Sequence, residues 1–138
     1  MSTKTESGAF DPPIENRADL ISVVAKGEKP AARWRIGTEH EKFVYRTADH
    51  RAPSYDEPGG IRDLLMAMTR YGWEPIMEGD NVIALGGADG NVSLEPAGQL
   101  ELSGAPLENL HQTCAETGRH LKQVKEIGAE LGLGFLGL

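Results

Sequence analysis

The stretch Val92–Leu102, VSLEPAGQLEL, decides the fold because it combines a strand pattern with a turn signal just before it. Much of it alternates between apolar and polar residues, with the period of two that is typical of a strand with one buried face. The preceding segment Gly86–Gly90, GGADG, is a dense cluster of turn residues. We therefore predict an antiparallel hairpin between strands over 81–85 and 92–102.

Working outward from this hairpin, helix and strand patterns alternate along the chain. Helices are predicted over 16–26 and 60–71, and the longest one from about Pro106 to Gly132. Further strands are predicted over 34–45, 73–77 and 133–138. The fold class that follows is α+β, an antiparallel sheet with flanking helices. The apolar face predicted for the long helix contains Leu107, Leu110, Cys114, Leu121, Val124, Gly128 and Leu131, with Glu108, Glu116 and Glu126 towards water.

The length of 138 residues suits one domain. Residues 1–14 are polar and contain Pro12-Pro13, so we predict a flexible arm followed by a domain over 15–138. The last residues, GFLGL, form an apolar strand without a polar residue to close it. We expect either that this strand docks inside a sheet or, as we favour, that the domain is truncated.

Composition excludes some partners. The net charge of −7 argues against nucleic acid or an anionic membrane as partner, because phosphate binding needs a basic surface. No apolar run approaches the roughly 20 residues of a membrane span, and Met1–Pro13 lacks the apolar core of a secretory signal. The single cysteine, Cys114, excludes an internal disulfide. Together these features predict a cytoplasmic protein.

The candidate site consists of acidic residues on two predicted strands. Glu39 and Glu41 lie two apart on one strand, and Glu95, Gln99 and Glu101 share parity on another, so each set projects from one face. Clustered carboxylates repel one another unless a cation compensates. Hard oxygen ligands of this kind suit Mg²⁺, which completes its octahedron with water and substrate phosphates.

A solvated strand face is the commoner explanation for glutamates two residues apart. Two features favour a site here. Apolar or aromatic residues flank both pairs, and Pro96 and Gly98 interrupt the second strand, as bulges near functional sites often do.

Other candidate residues carry weaker patterns. His40 points to the face opposite the glutamates, which favours packing over ligation. His111 and Cys114, three apart on a helix, could share a soft metal, although a core-facing thiol beside a surface imidazole is the better hypothesis. Gly86–Gly90 lacks the Lys-Ser/Thr ending of a phosphate loop and is predicted to be a turn. Asp80, in another predicted turn, is a less favoured metal or substrate contact.

Several motifs in order resemble glutamate–cysteine ligase of the plant and proteobacterial type. They are Arg35–Phe43 (RIGTEHEKF), Met77–Asn81 (MEGDN), Ser93–Leu107 (SLEPAGQLELSGAPL), Leu110–Glu116 (LHQTCAE) and the closing GFLG. The resemblance runs from about Arg33 to the last residue and covers most of the chain.

The resemblance implies a glutamine-synthetase-like carboxylate–amine ligase fold. It also implies ATP-dependent joining of L-glutamate, through an acyl phosphate on its γ-carboxylate, to L-cysteine, the first step of glutathione biosynthesis. By motif match, Glu39, Glu41, Glu95 and Glu101 would bind Mg²⁺, with Gln99 near the substrate. Cys114 matches a cysteine that in some members is linked to a redox-sensitive disulfide.

The family enzymes are several times longer than this chain. We therefore expect residues 15–138 to be the amino-terminal part of the catalytic domain, inactive alone and completed by the rest of the ligase chain or a homo-oligomer partner. The alternative from another functional class is a stand-alone, non-catalytic module that binds divalent ions or docks on a partner.

Overall fold

The computed structural model describes residues 13–88 and 90–137. The chain divides into two compact units, Met1–Trp34 and Arg35–Leu138. Most of the predicted arm over 1–14 lies outside the described residues. In the first unit, helix α1 (Arg17–Ala25) begins at Asn16, whose side chain accepts from the Ala18 and Asp19 N–H groups. The predicted helix over 16–26 is confirmed, and a 3₁₀ turn follows at Ala31–Arg33.

The second unit is built on a six-stranded antiparallel sheet, as the α+β prediction requires. The strands are β1 (Glu39–Arg46), β2 (Glu74–Glu78), β3 (Asn81–Gly87), β4 (Gly90–Glu95), β5 (Gln99–Gly104) and β6 (Leu133–Gly137). Their order is β2-β3-β4-β5-β1-β6. The neighbouring strands β5 and β1 therefore bring together segments that are far apart in sequence.

The prediction of one strand over 92–102 is wrong, because the chain reverses in its middle. Pro96–Gly98 forms a 3₁₀ turn, and Ala97 there has the left-handed values φ 65° and ψ 18°. The segments on either side, β4 and β5, pair with each other, Glu95 opposite Gln99. The turn over Gly86–Gly90 is confirmed in outline, since β3 ends at Gly87 and β4 starts at Gly90.

Two helices of the second unit, α2 (Ile61–Met68) and α3 (Leu110–Leu131), pack with one face of the sheet into a single core. A 3₁₀ turn over Thr69–Tyr71 extends α2 to Gly72, where φ is 90°, so the predicted end is confirmed. No helix in the described part of the chain is long and apolar enough to cross a membrane. The buried apolar side chains are Val44, Ile61, Leu64, Leu65, Met68, Val82, Leu85, Val92, Leu100, Leu102, Val124, Ile127 and Leu133.

Helix α3 begins later than predicted. The Leu107 N–H and C=O groups both bond to Ile36, at 2.8 and 2.7 Å, which keeps the chain extended there. The helix then starts after Asn109, whose side chain accepts from the His111 and Gln112 N–H groups. Likewise, the strand predicted from residue 34 starts only at Glu39.

The buried face of α3 also differs from the prediction. Its first half turns Glu116 and His120 towards the sheet, whereas Leu110 is 66% exposed and Cys114 is exposed. The prediction that Glu116 faces water and Cys114 faces the core is therefore wrong. In the second half, Val124 and Gly128 are buried as predicted.

Candidate metal centre

The five predicted acidic-site residues lie on one face of the sheet, here named the acidic face: Glu39, Glu41, Glu95, Gln99 and Glu101. Directly opposed residues on neighbouring strands project to the same side. Glu41 is opposite Glu101 in the β1–β5 pair, and Glu95 is opposite Gln99 in the β4–β5 pair. The two predicted sets therefore form one surface, although three strands contribute to it instead of two.

Glu101 is the centre of the acidic face. It lies opposite Glu41 on one side and Ser93 on the other, and it is only 3% exposed. Its Oε1 atom accepts a hydrogen bond of 2.6 Å from the Ser103 hydroxyl. Like charges directly opposite each other destabilise a sheet, so the Glu41–Glu101 pair is a position where a bound cation would relieve repulsion.

The outer members of the acidic face are less enclosed. Glu39 is exposed, and it reaches Glu101 only diagonally because its own partner is Ser103. Glu95 is diagonal to Glu101 as well. Within residues 13–88 and 90–137, no three His, Cys, Asp or Glu side chains converge closely enough to hold a metal ion by themselves. The donor set is thus a facing pair of carboxylates with two more beside it.

Gln99 contributes an acceptor without a partner. Its Nε2 atom donates to the Pro96 carbonyl at 3.3 Å, while its Oε1 atom is buried and has no hydrogen-bond partner. Buried acceptors are normally paired with a donor, and this oxygen is not.

Asp80 and the pair His111 and Cys114 do not join the acidic face. Asp80 lies in the turn between the edge strand β2 and β3. His111 and Cys114 are exposed on α3. No third donor joins them among the described residues.

On the opposite face of β1, the half-buried His40 and the buried Lys42 form a basic cluster with the buried His120. His40 points away from the glutamates, as predicted. Lys42 is 1% exposed, and its Nζ atom lies 2.9 Å from His40 Nδ1 and donates to the His40 carbonyl at 2.7 Å. Burial lowers the pKa of Lys42 to about 8, an effect that the nearby Glu101 carboxylate opposes.

His120, on α3, completes this cluster. It is 2% exposed. Burial, followed by the charges of Lys42 and His40, lowers its pKa to about 3. Neither Lys42 nor His120 was predicted to have a role. Lys42 has the same strand parity as His40 and Val44 on β1. His120 lies four residues from both Glu116 and Val124 on α3. These spacings were the only sequence signals for the two residues.

The chain belongs to glutamate–cysteine ligase family 2, whose model matches residues 35–138. That match covers all six strands and the acidic face. The first unit, ending at Trp34, lies outside it.

Curated relatives agree with this placement. The chain is 49% identical to the chloroplastic glutamate–cysteine ligase of Brassica juncea over 99% of its length. It is 51% identical to the chloroplastic glutamate–cysteine ligase A of Oryza sativa subsp. japonica over 88%, and 48% identical to the chloroplastic enzyme of Solanum lycopersicum over 94%. It spans 26%, 24% and 26% of those three proteins, about a quarter of their length.

The names of these relatives contradict the predicted location. All three are called chloroplastic, so the prediction of a cytoplasmic protein is wrong. It rested on a reduced cysteine and on Met1–Pro13 lacking a signal. Neither feature distinguishes one reducing compartment from another.

Proposed function

We propose that this chain forms one wall of the active site of an ATP-dependent glutamate–cysteine ligase with a glutamine-synthetase-like fold. Such an enzyme joins the γ-carboxylate of L-glutamate to the amine of L-cysteine, giving γ-glutamylcysteine for glutathione biosynthesis. Family membership supports the reaction class. The observation that carries the site is the Glu41–Glu101 pair, which places two carboxylates directly opposite each other on neighbouring strands.

The reaction has two bond-forming steps. The γ-phosphoryl group of ATP passes to the γ-carboxylate of glutamate, and ADP leaves. The cysteine amine then attacks the acyl carbon, phosphate leaves, and the amine loses a proton. Bound Mg²⁺ would offset negative charge on the phosphates, which is where most of the catalysis of phosphoryl transfer lies.

The acidic face fits Mg²⁺ in the way that this ion is usually held. Mg²⁺ typically takes one or two protein carboxylates and fills its other positions with water and substrate phosphates. Glu41 and Glu101 would supply the two carboxylates, with Glu39 and Glu95 beside them for a further ion. The absence of a tighter cluster among the described residues is compatible with this mode, because the nucleotide brings its own oxygen ligands.

Gln99 suits a substrate contact on the same face. Its unpartnered Oε1 atom can accept a hydrogen bond from an N–H group of an amino-acid substrate. The bond to the Pro96 carbonyl holds the amide so that this oxygen keeps its position.

The metal assignment is tested with Mn²⁺, which replaces Mg²⁺ at oxygen sites and reports its free concentration by electron paramagnetic resonance. The protein is titrated as wild type and as Glu41→Gln, Glu101→Gln and Glu130→Gln. We expect each of the first two substitutions to weaken binding by roughly tenfold or more, since each removes a charged ligand. Glu130, which pairs with Arg70 on the surface, is the matched control and should bind as wild type does.

Thermal melting of each variant separates lost binding from lost folding. Glutamine at position 101 can still accept the bond from Ser103, so the fold should survive. Wild-type Mn²⁺ affinity in both Glu41→Gln and Glu101→Gln would exclude the acidic face as the metal site.

A further inference from the structure

A cavity lies on the helix side of the sheet, away from the acidic face. We name it the α3 cavity. It has a volume of about 310 Å³ and is lined by Glu116, Arg119 and His120 of α3 together with Trp73, Tyr71 and Leu102. Leu102 belongs to the buried face of β5, whereas the acidic-face residue Glu101 points the other way. The cavity is therefore separate from the proposed metal site.

Two buried polar groups line this cavity without partners. Neither ring nitrogen of His120 has a hydrogen-bond partner, although the side chain is only 2% exposed. Glu116 is 6% exposed, and its Oε2 atom also lacks a partner. Buried polar groups are normally paired, so two with unpaired atoms on one cavity wall point to a ligand that pairs with them.

The carboxylate of Glu116 lies against the chain at Gly104 and Ala105. Its Oε1 atom accepts a 2.8 Å hydrogen bond from the Ala105 N–H group. Next to Ala105, Gly104 leaves the space that the carboxylate occupies, because a Cβ atom there would collide with Glu116 Oε2. Gly104 is the last residue of β5. Its presence here is explained by the room that the buried carboxylate needs.

The charges of the lining define the ligand. Glu116 offers an anionic acceptor that suits an ammonium group. Arg119 offers a cation that suits a carboxylate. It lies about one turn after Glu116 on the same helix and is exposed. Uncharged at neutral pH, His120 can donate with one nitrogen and accept with the other. Trp73 and Leu102 supply an apolar wall, and the volume suits a small ligand.

We propose that the α3 cavity binds a free α-amino acid, with its ammonium group on Glu116, its carboxylate on Arg119 and its side chain against Trp73. A zwitterion matches the one anion and one cation of the lining. A divalent metal fits less well, since the described residues hold no convergent set of three donors.

Fluorescence of Trp73 tests this proposal. The chain has two tryptophans, so the Trp34→Phe variant leaves Trp73 as the only reporter. That variant is titrated, without nucleotide or metal, with each of the common free L-amino acids and with their N-acetyl derivatives. We expect at least one free amino acid to give a saturable change and its N-acetyl derivative, which has no ammonium group, to give none.

Substitutions in the same background locate the binding. Glu116→Gln and Arg119→Gln should each weaken the response by roughly tenfold or more, whereas the surface control Glu130→Gln should not. Arg119 is exposed, so its variant should fold even if Glu116→Gln does not, and melting curves check both. A Glu41→Gln variant should keep the response, which separates this proposal from that of the metal site.

Three results would overturn the proposal. The first is no saturable change with any free amino acid. The second is an unchanged response in both the Glu116→Gln and Arg119→Gln variants. The third is equal binding of the N-acetyl derivative, since the ammonium group would then have no part in recognition.

Discussion

The imidazole of His120 is buried among titratable and charged groups. Lys42 and His40 face it from β1, Glu116 precedes it by one turn of α3, and Arg119 is its neighbour in the chain. Its pKa falls from 6.5 to about 3 because burial, followed by the charges of Lys42 and His40, disfavours the charged ring. At neutral pH the folded protein therefore holds this histidine uncharged.

This shift predicts a pH dependence of stability. Between pH 6.5 and about 3 the unfolded chain binds a proton at His120 and the folded chain does not, so the free energy of unfolding falls as the pH falls through this range. From pH 7 to pH 5 the loss from this group should be about 2 kcal/mol. Urea unfolding at the two pH values measures this loss. The His120→Gln variant should lose about 2 kcal/mol less free energy of unfolding between pH 7 and pH 5 than wild type does.

The exposed His111 is the control for that experiment. His111→Gln should lose stability between pH 7 and pH 5 as wild type does. An equal loss in wild type and in His120→Gln would show that the buried imidazole is not what couples folding to protons.

At the residue level, the sequence predicted the acidic face but not the groups behind it. Glu39 could be assigned to the face of Glu41, and Gln99 to the face of Glu101, because strand alternation is a local property. The pairing of β1 with β5, which joins the two sets, is not local. Lys42 and His120 could not be predicted, because a charged side chain is usually exposed and only tertiary packing buries it. Glu116 was misassigned for the same reason.

At the level of elements, α3 meets β6 at a close approach. A Cβ atom at Gly128 would lie 2.6 Å from the Leu133 carbonyl oxygen and 2.8 Å from the Phe135 ring. The helix can pack this closely only because position 128 has no side chain. Gly118, on the same helix, has nothing within 4 Å of the equivalent position.

Alanine at these two glycines should have opposite effects. Alanine is favoured over glycine inside a helix by about 1 kcal/mol, so Gly118→Ala should raise the free energy of unfolding by about that amount. Gly128→Ala has the same helix advantage but must push α3 from β6, and we expect a net loss of about 1–3 kcal/mol. Chemical denaturation measures both. Stabilisation by Gly128→Ala would mean that the contact with β6 yields without cost.

The elements that the sequence predicted well are those with local signals. The hairpin turn, the ends of α2 and the existence of α3 follow from glycines and apolar periodicity. The reversal at Pro96–Gly98 was missed because Ala97 adopts a left-handed conformation that non-glycine residues seldom take. The start of α3 was missed because a distant partner, Ile36, holds Leu107 extended.

For the whole molecule, the distribution of charge limits what this chain does alone. The only lysine and arginine in the six strands are Lys42 and Arg46 of β1. Both have the strand parity opposite to Glu41 and so face away from the acidic face. A triphosphate and the two carboxylates of glutamate need cationic partners, and the strand residues of the acidic face provide none.

We therefore expect the 138-residue chain to show no ligation of glutamate to cysteine when assayed by itself with Mg²⁺ and ATP. Release of ADP that depends on both amino acids is the measurement, with a full-length relative from Brassica juncea as the positive control. Turnover by the chain that Glu101→Gln abolishes would contradict this expectation.

Glu41 and Glu101 stand sixty positions apart in the chain and become neighbours only when β1 pairs with β5. The two carboxylates are not neighbours in the unfolded chain, so a divalent cation bound by both would stabilise the native state. By mass action, each tenfold rise in cation concentration above the dissociation constant adds about 1.4 kcal/mol to the free energy of unfolding. On this proposal the stability of the folded chain depends on the concentration of divalent cation around it.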